Sequence, residues 1–289
     1  MFEFDKKYFS KFNIVAGVDE AGRGPLAGPV VASAVIYDSG IYIEGVDDSK
    51  KISQKKREVY YKEIMSKAKH VGVGIVFQEE IDKMNILNAT KEAMRKAIQN
   101  LTVKPELVLV DGNQIEFSDY NQESIIKGDA KSFSIASASI VAKVTRDKIM
   151  ENYSKLLPEY GFENHKGYGT KKHLEAISKY RSSIIHRKSF KPISEHMPTF
   201  DYYFKNKAVD RLLIQIAGDY LIKNGYVIVE SNFPYLKVSI DNEDHACMIK
   251  SNIEMGLTDT SDRSLSEKHK IINVEIQNGK FKIVIKDIN

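Results

Sequence analysis

The chain has a single cysteine, Cys247, in 289 residues, which rules out an internal disulfide and a cysteine cage for zinc and fits a reducing compartment. It lacks any run approaching the roughly 20 apolar residues of a membrane helix, so no membrane partner is expected. Residues 1–7 do not join a basic segment to an apolar core, and a secretory signal is not expected either. Cytoplasmic residence is the expectation that remains. Internal repeats and low-complexity tracts are also missing. What is present is ordinary for a folded protein, with 42% hydrophobic and 28% charged residues and length enough for two domains. A net charge of +4 leans basic. Lys50, Lys51, Lys55, Lys56 and Arg57 cluster, as do Lys166, Lys171, Lys172 and His173, followed by Arg181, His186, Arg187, Lys188 and Lys191. Such clusters suit a surface that tracks phosphates and equally a solvated helix face.

Apolar runs and helical spacings alternate along the first two thirds. Residues 14–18 and 30–36 read as buried strands, and 71–77 and 107–110 as two more. Between them, Ser53 is placed to cap a helix whose apolar side includes Val59, Ile64 and Met65. A second helix follows through Ala89, Ala93, Met94, Ala97, Ile98 and Leu101. A short strand at 124–126 precedes a long helix from Ser134, rich in small residues that allow close approach to a sheet. Residues 165–170 form a loop before a helix near 172–180. The pattern predicts an α/β fold, a mixed sheet with helices packed on it. Beyond residue 197 a helix through Leu212, Leu213, Ile216 and Leu221 precedes five alternating segments, with a polar loop at 256–268 and a turn at Asn278 and Gly279. This reads as a small α+β appendage, which divides the chain into 1–197 and 198–289.

Carboxylates recur where strands end. Asp19 and Glu20 close the first, Asp111 closes the fourth, and Asp129 follows the fifth after Gly128. In open α/β sheets ligands collect at the carboxyl ends of strands. Four carboxylates converging there need compensating cations, and two divalent ions would balance them and bridge a phosphate. An oxygen-only ligand set favours magnesium or manganese over zinc. A polar turn or a helix cap is the plainer account of each residue taken alone. The loop Gly22-Arg23-Gly24-Pro25-Leu26-Ala27-Gly28 misses the dinucleotide spacing by one position and lacks the Lys-Ser/Thr of a P-loop. Its bare backbone instead suits close approach to a sugar, whose 2′-hydroxyl both donates and accepts.

Residues 18–30 (VDEAGRGPLAGPV), 48–51 (DSKK), 110–113 (VDGN), 127–129 (KGD), 136–147 (ASASIVAKVTRD) and 165–170 (HKGYGT) resemble, in order, the motif set of bacterial ribonuclease HII. The resemblance implies an RNase H-like fold and endonucleolytic cleavage of RNA in RNA–DNA hybrids, including single ribonucleotides in duplex DNA. It implies Asp19, Glu20, Asp111 and Asp129 as ligands for two Mg²⁺ or Mn²⁺ ions. Cleavage is then two-metal hydrolysis 5′ to the ribonucleotide, leaving a 3′-hydroxyl and a 5′-phosphate. By the same resemblance Gly22, Arg23 and Gly24 recognise the ribose 2′-hydroxyl, Tyr168 stacks at the RNA-to-DNA junction and Lys50 lies near the scissile phosphate. Asp147 matches a family position too, but an ion pair with Lys143 or Arg146 accounts for it. The catalytic part is expected to be monomeric, and a partner for the C-terminal part is unknown.

In that C-terminal part, residues 217–233 are similar to the opening of the YraN-like family of predicted restriction-type nucleases. Such nucleases use a Glu-x-Lys on a later strand. Glu275-Ile276-Gln277 lacks the lysine, so a degenerate domain serving substrate binding, partner contact or packing is the expectation.

Overall fold

The computed structural model describes residues 1–112, 115–205, 208–240, 243–251, 269–277 and 280–288. Asn113, the polar loop at 256–268 and the turn at Asn278 and Gly279 lie outside them. The chain divides into two compact units, Met1–Lys148 and Ile149–Asn289.

The first unit is built on strands β1 (Val15–Ala21), β2 (Val30–Ile36), β3 (His70–Val76), β4 (Leu107–Asp111) and β5 (Gln122–Ile125). They form one sheet in the order β3-β2-β1-β4-β5. β2 runs antiparallel to both of its neighbours, β1 and β3, whereas β4 pairs parallel with β1 and β5 parallel with β4. Parallel pairing brings strand ends of the same polarity together. Val18 lies beside Val110 in the β1–β4 register, so Asp19 and Asp111 follow as neighbours at the same edge of the sheet. The apolar runs of β1, β2 and β4 are buried throughout, those of β3 only at alternate positions, and each fully buried large apolar side chain contributes about 1.5–3 kcal/mol.

Helices α1 (Phe2–Phe9), α2 (Gln54–Lys67), α3 (Gln78–Met84), α4 (Ile86–Gln99) and α5 (Phe133–Leu156) complete this unit, with the last turns of α5 belonging to the second. Gly17 explains how α5 lies so close to β1: a Cβ there would collide with the Ser134 carbonyl carbon and the Ile135 nitrogen. The buried face of α4 is the expected stripe of Ala89, Ala93, Met94, Ala97 and Ile98, joined by Thr90. In α2 the expectation fails in part. Ser53 does cap it, accepting from the Lys56 N–H, but Val59 and Met65 are 51% and 46% exposed. The helical neighbours of Ile64 three and four residues back are Tyr61 and Tyr60, and these tyrosines pack beside it in the core cluster. The apolar face of α2 is therefore aromatic.

The second unit contains α6 (Phe162–His165), α7 (Lys171–Tyr180), α8 (Lys191–Ser194), α9 (Phe200–Lys205) and α10 (Val209–Lys223). Its strands are β6 (Val227–Asn232), β7 (Tyr235–Ile240), β8 (Glu243–Ser251), β9 (His269–Gln277) and β10 (Lys280–Ile288), in the order β10-β9-β8-β7-β6. The basic cluster read from 166 to 191 is not a surface throughout, because His173, His186 and Arg187 are fully buried. Among the described residues no helix is long and apolar enough to cross a membrane.

Candidate active site

Three carboxylates converge at the carboxyl ends of β1 and β4. Asp19, Asp111 and Asp129 each offer an oxygen, all within 4.8 Å of one another. Asp19 is carried by β1 opposite Ser33, a small partner that leaves the carboxylate room. Asp111 is the last residue of β4. Asp129 comes from a short 3₁₀ turn, Gly128–Ala130, entered through Lys127 in the left-handed conformation. Asp111 fastens that turn, since its Oδ1 accepts from the Gly128 N–H at 2.6 Å and the Asp129 N–H at 3.4 Å.

The cluster is electrostatically costly. Burial raises the Asp19 carboxyl well above its ordinary value, and the Glu20 and Asp111 charges raise it further. Asp111 is raised by burial and by Asp129, against hydrogen bonds that pull the other way. Glu20 is also raised by burial, with Arg23 opposing and Asp111 adding. Like charges buried together behave this way unless a cation joins them. Buried oxygens in close reach, without histidine or cysteine, fit a hard divalent ion. Lys50 supplies part of the missing charge, with its Nζ 3.4 Å from Asp129 Oδ2 while its side chain stays 80% exposed. Burial alone would lower this amine, but Asp129, Asp48 and Asp19 outweigh it and leave it raised.

Glu20 stands beside this group of three, on the neighbouring strand position, and its Oε1 lies 3.5 Å from Arg23 Nη1. Gly22 has φ +101°, a left-handed backbone, and a Cβ there would strike the Arg146 side chain. Gly24 is exposed at the loop's outer end. Tyr168 belongs to the second unit, on the loop between α6 and α7, and its side chain is 45% exposed.

Several residues beneath the site had no supporting role assigned to them from the sequence. Ser139 on α5 hydrogen-bonds Asp19 and lies 2.9 Å, Oγ to Oγ, from Ser49. Arg57 Nη1 donates to the Ser49 carbonyl at 2.7 Å, which fixes the loop that carries Lys50. One face of α5 repeats at Ser139, Lys143 and Arg146. Arg146, fully buried, donates from Nε to the Pro29 carbonyl at 2.9 Å and from Nη2 to the Ala27 carbonyl at 3.1 Å. It thereby holds the far side of the glycine loop. The signal available was the seven-residue spacing of Ser139 and Arg146, two turns of one helix face. Asp147 pairs with Lys143 at 2.6 Å, as its local spacing implied.

The family model described as Ribonuclease HII matches residues 16–193. The chain belongs to the ribonuclease HII family. That membership makes it a metal-dependent ribonuclease H, and the sheet of its first unit has the family's architecture. It is similar to ribonuclease HII of Bacillus licheniformis, 56% identical over 185 residues, which are 64% of this chain and 72% of that one. Ribonuclease HII of Rickettsia akari is 57% identical over 191 residues, 66% of this chain and 97% of its own. Among solved structures, ribonuclease H2 of Pyrococcus horikoshii aligns with a TM-score of 0.56 and 28% identity, over 63% of this chain and 96% of that one. The Rickettsia relative is nearly used up by the alignment, so it has no counterpart for the C-terminal third of this ribonuclease HII family member.

Proposed function

We propose that this enzyme hydrolyses RNA in RNA–DNA hybrids and cuts 5′ to single ribonucleotides embedded in duplex DNA, leaving 3′-hydroxyl and 5′-phosphate ends. Ribonucleotide excision and primer removal are the corresponding roles, in the cytoplasm. The observation that carries the reading is the cluster of buried Asp19 and Asp129 with half-buried Asp111, and Lys50 at its rim. Asp19, Glu20, Asp111 and Asp129 would hold Mg²⁺ or Mn²⁺, two ions with substrate bound. Divalent cations bound there supply Lewis-acid polarisation of the phosphate and neutralise its developing charge. Lys50, mostly exposed and already paired to a carboxylate, would meet a non-bridging phosphate oxygen. The loop of Gly22, Arg23 and Gly24 would read the 2′-hydroxyl through its backbone, held from behind by Arg146. Tyr168 would stack at the RNA-to-DNA junction. The test is Asp111→Asn on a duplex with one ribonucleotide. One preorganised electrostatic group is worth on the order of 10²–10³ in rate, and a loss at least that large is expected with an unchanged circular dichroism spectrum. Undiminished cleavage would sink the assignment.

The catalytic part is proposed to be residues 1–197, acting as a monomer, with 198–289 a degenerate nuclease-like extension whose role is packing. What supports this is the fate of Asp219 on α10, in the segment similar to the YraN-like family. It accepts from the Tyr153 hydroxyl at 2.7 Å and pairs with Lys223 at 2.6 Å. A carboxylate committed to two donors is engaged in holding α10 to the end of α5.

A further inference from the structure

Beside Tyr168, the buried His173 and His186 and the half-buried His165 make hydrogen bonds whose direction can be deduced from their fixed ends. The Ser183 N–H can only donate, and it lies 2.9 Å from His186 Nδ1, which must therefore accept. Neutral His186 then carries its proton on Nε2, 3.1 Å from His173 Nε2. That nitrogen accepts in turn, so the His173 proton sits on Nδ1, 2.9 Å from the Tyr168 carbonyl oxygen, which can only accept. Every link agrees with the next. The third ring, His165, stacks on His173 with centroids 4.4 Å apart. Its Nδ1 accepts from the Gly167 N–H at 3.2 Å, and its Nε2 donates to the Tyr160 carbonyl at 2.9 Å.

We propose that His186 and His173 form a one-directional hydrogen-bond chain that fixes the backbone of Tyr168, and that both are positioning residues for the stacking of Tyr168 on substrate. The inference rests on the substrate role given to Tyr168 above and goes beyond it, because it names what holds the tyrosine. Lys166 and Gly167 both take left-handed backbone, with φ of 49° and 88°, so the loop turns sharply just before Tyr168. Lys166 Nζ closes the turn on the Glu163 carbonyl at 2.7 Å and on Glu151 at 2.9 Å. His173 and His186 are fully buried, while the Tyr168 side chain is 45% exposed. A rigid base thus presents a wet aromatic ring, an economical way to offer a stacking surface with little entropy left to lose.

Asparagine places its amide nitrogen near the position of histidine Nδ1, whereas glutamine reaches the position of Nε2. His173→Gln in the full chain is expected to raise KM for a single-ribonucleotide duplex about 3- to 10-fold, the worth of one hydrogen bond, with kcat nearly unchanged. His173→Asn keeps the donor to Tyr168 and should recover most of that loss. In a Tyr168→Ala background His173→Gln should add nothing. A KM rise that persists without Tyr168, or that asparagine does not relieve, overturns the chain. A Tyr168→Ala enzyme with normal KM overturns the substrate role of Tyr168 itself and the proposal with it. Nitrogen-15 NMR of the unaltered protein reads the tautomers directly and does not depend on any variant folding. The expected result is a proton on Nδ1 of His173 and on Nε2 of His186; the opposite tautomers overturn the proposal.

Discussion

Asp19 occupies a position where burial, the adjacent Glu20 and the facing Asp111 all disfavour its charge. Its carboxyl is raised in the folded protein, so folded chains bind its proton more tightly than unfolded ones. The sign follows: Asp19 does not weaken the fold below about pH 3.9, the unfolded value, and weakens it progressively as pH rises through the folded value. Asp19→Asn is therefore expected to raise the Tm of the metal-free enzyme at pH 7 by about 2–4 °C per kcal/mol of repulsion removed, an advantage that fades toward pH 4. Adding Mg²⁺ should raise the Tm of the unaltered enzyme and do so less in the variant, since a ligand stabilises the state that binds it. Scanning calorimetry with and without the metal checks both. The position of Asp19 was legible in the sequence because an apolar run delivered it to a strand end. Arg146 was not legible as the support of the glycine loop. Its partners, the carbonyls of Ala27 and Pro29, lie more than a hundred residues away and carry no side-chain signal.

At the scale of elements, α7 and the loops around it depend on histidines that stay neutral. Burial lowers His173 from 6.5 to about 4, helped by His165. Burial and His173 lower His186 further, and His165 is lowered mainly by burial. A depressed histidine contributes stability that is complete above the unfolded value of 6.5 and is lost as pH falls toward the folded one. From pH 7 to pH 5, His173 alone should cost about 2 kcal/mol, measured as a drop in the urea midpoint. These rings look like part of a basic surface in the sequence, since lysines and arginines surround them. Only tertiary burial separates His173, His186 and Arg187 from their exposed neighbours. The reverse held for α4, where alanine and methionine at helical spacing announced the buried face. In α2 the tyrosines misled, because a residue with a polar tip and an apolar body can serve either side.

Taken as a whole, the chain joins a ribonuclease HII catalytic body to an extension that the Rickettsia relative does not have room for. Leu156, 3% exposed, packs against Gly218 of α10, and Asn152 and Tyr153 also find their partners beyond residue 197. A chain ending at residue 197 would leave these groups bare. It is expected to melt at lower temperature, while the dependence of its KM on salt, which counts phosphate contacts, stays as steep as in the full chain. A flatter salt slope after truncation would instead give the extension a share of substrate binding. One of those contacts bears on how molecules of this protein meet each other. The Asn152 side-chain amide donates to the Tyr226 carbonyl at 2.9 Å and accepts from the Ile228 N–H at 2.6 Å, at the start of the edge strand β6. It imitates one step of a neighbouring strand and occupies backbone groups that another copy could otherwise recruit. Asn152→Ala would reopen that edge, with exposed Val227 and Val229 alongside. Light scattering that grows with protein concentration is the expected consequence, so a single amide at the end of α5 doubles as a guard against self-assembly.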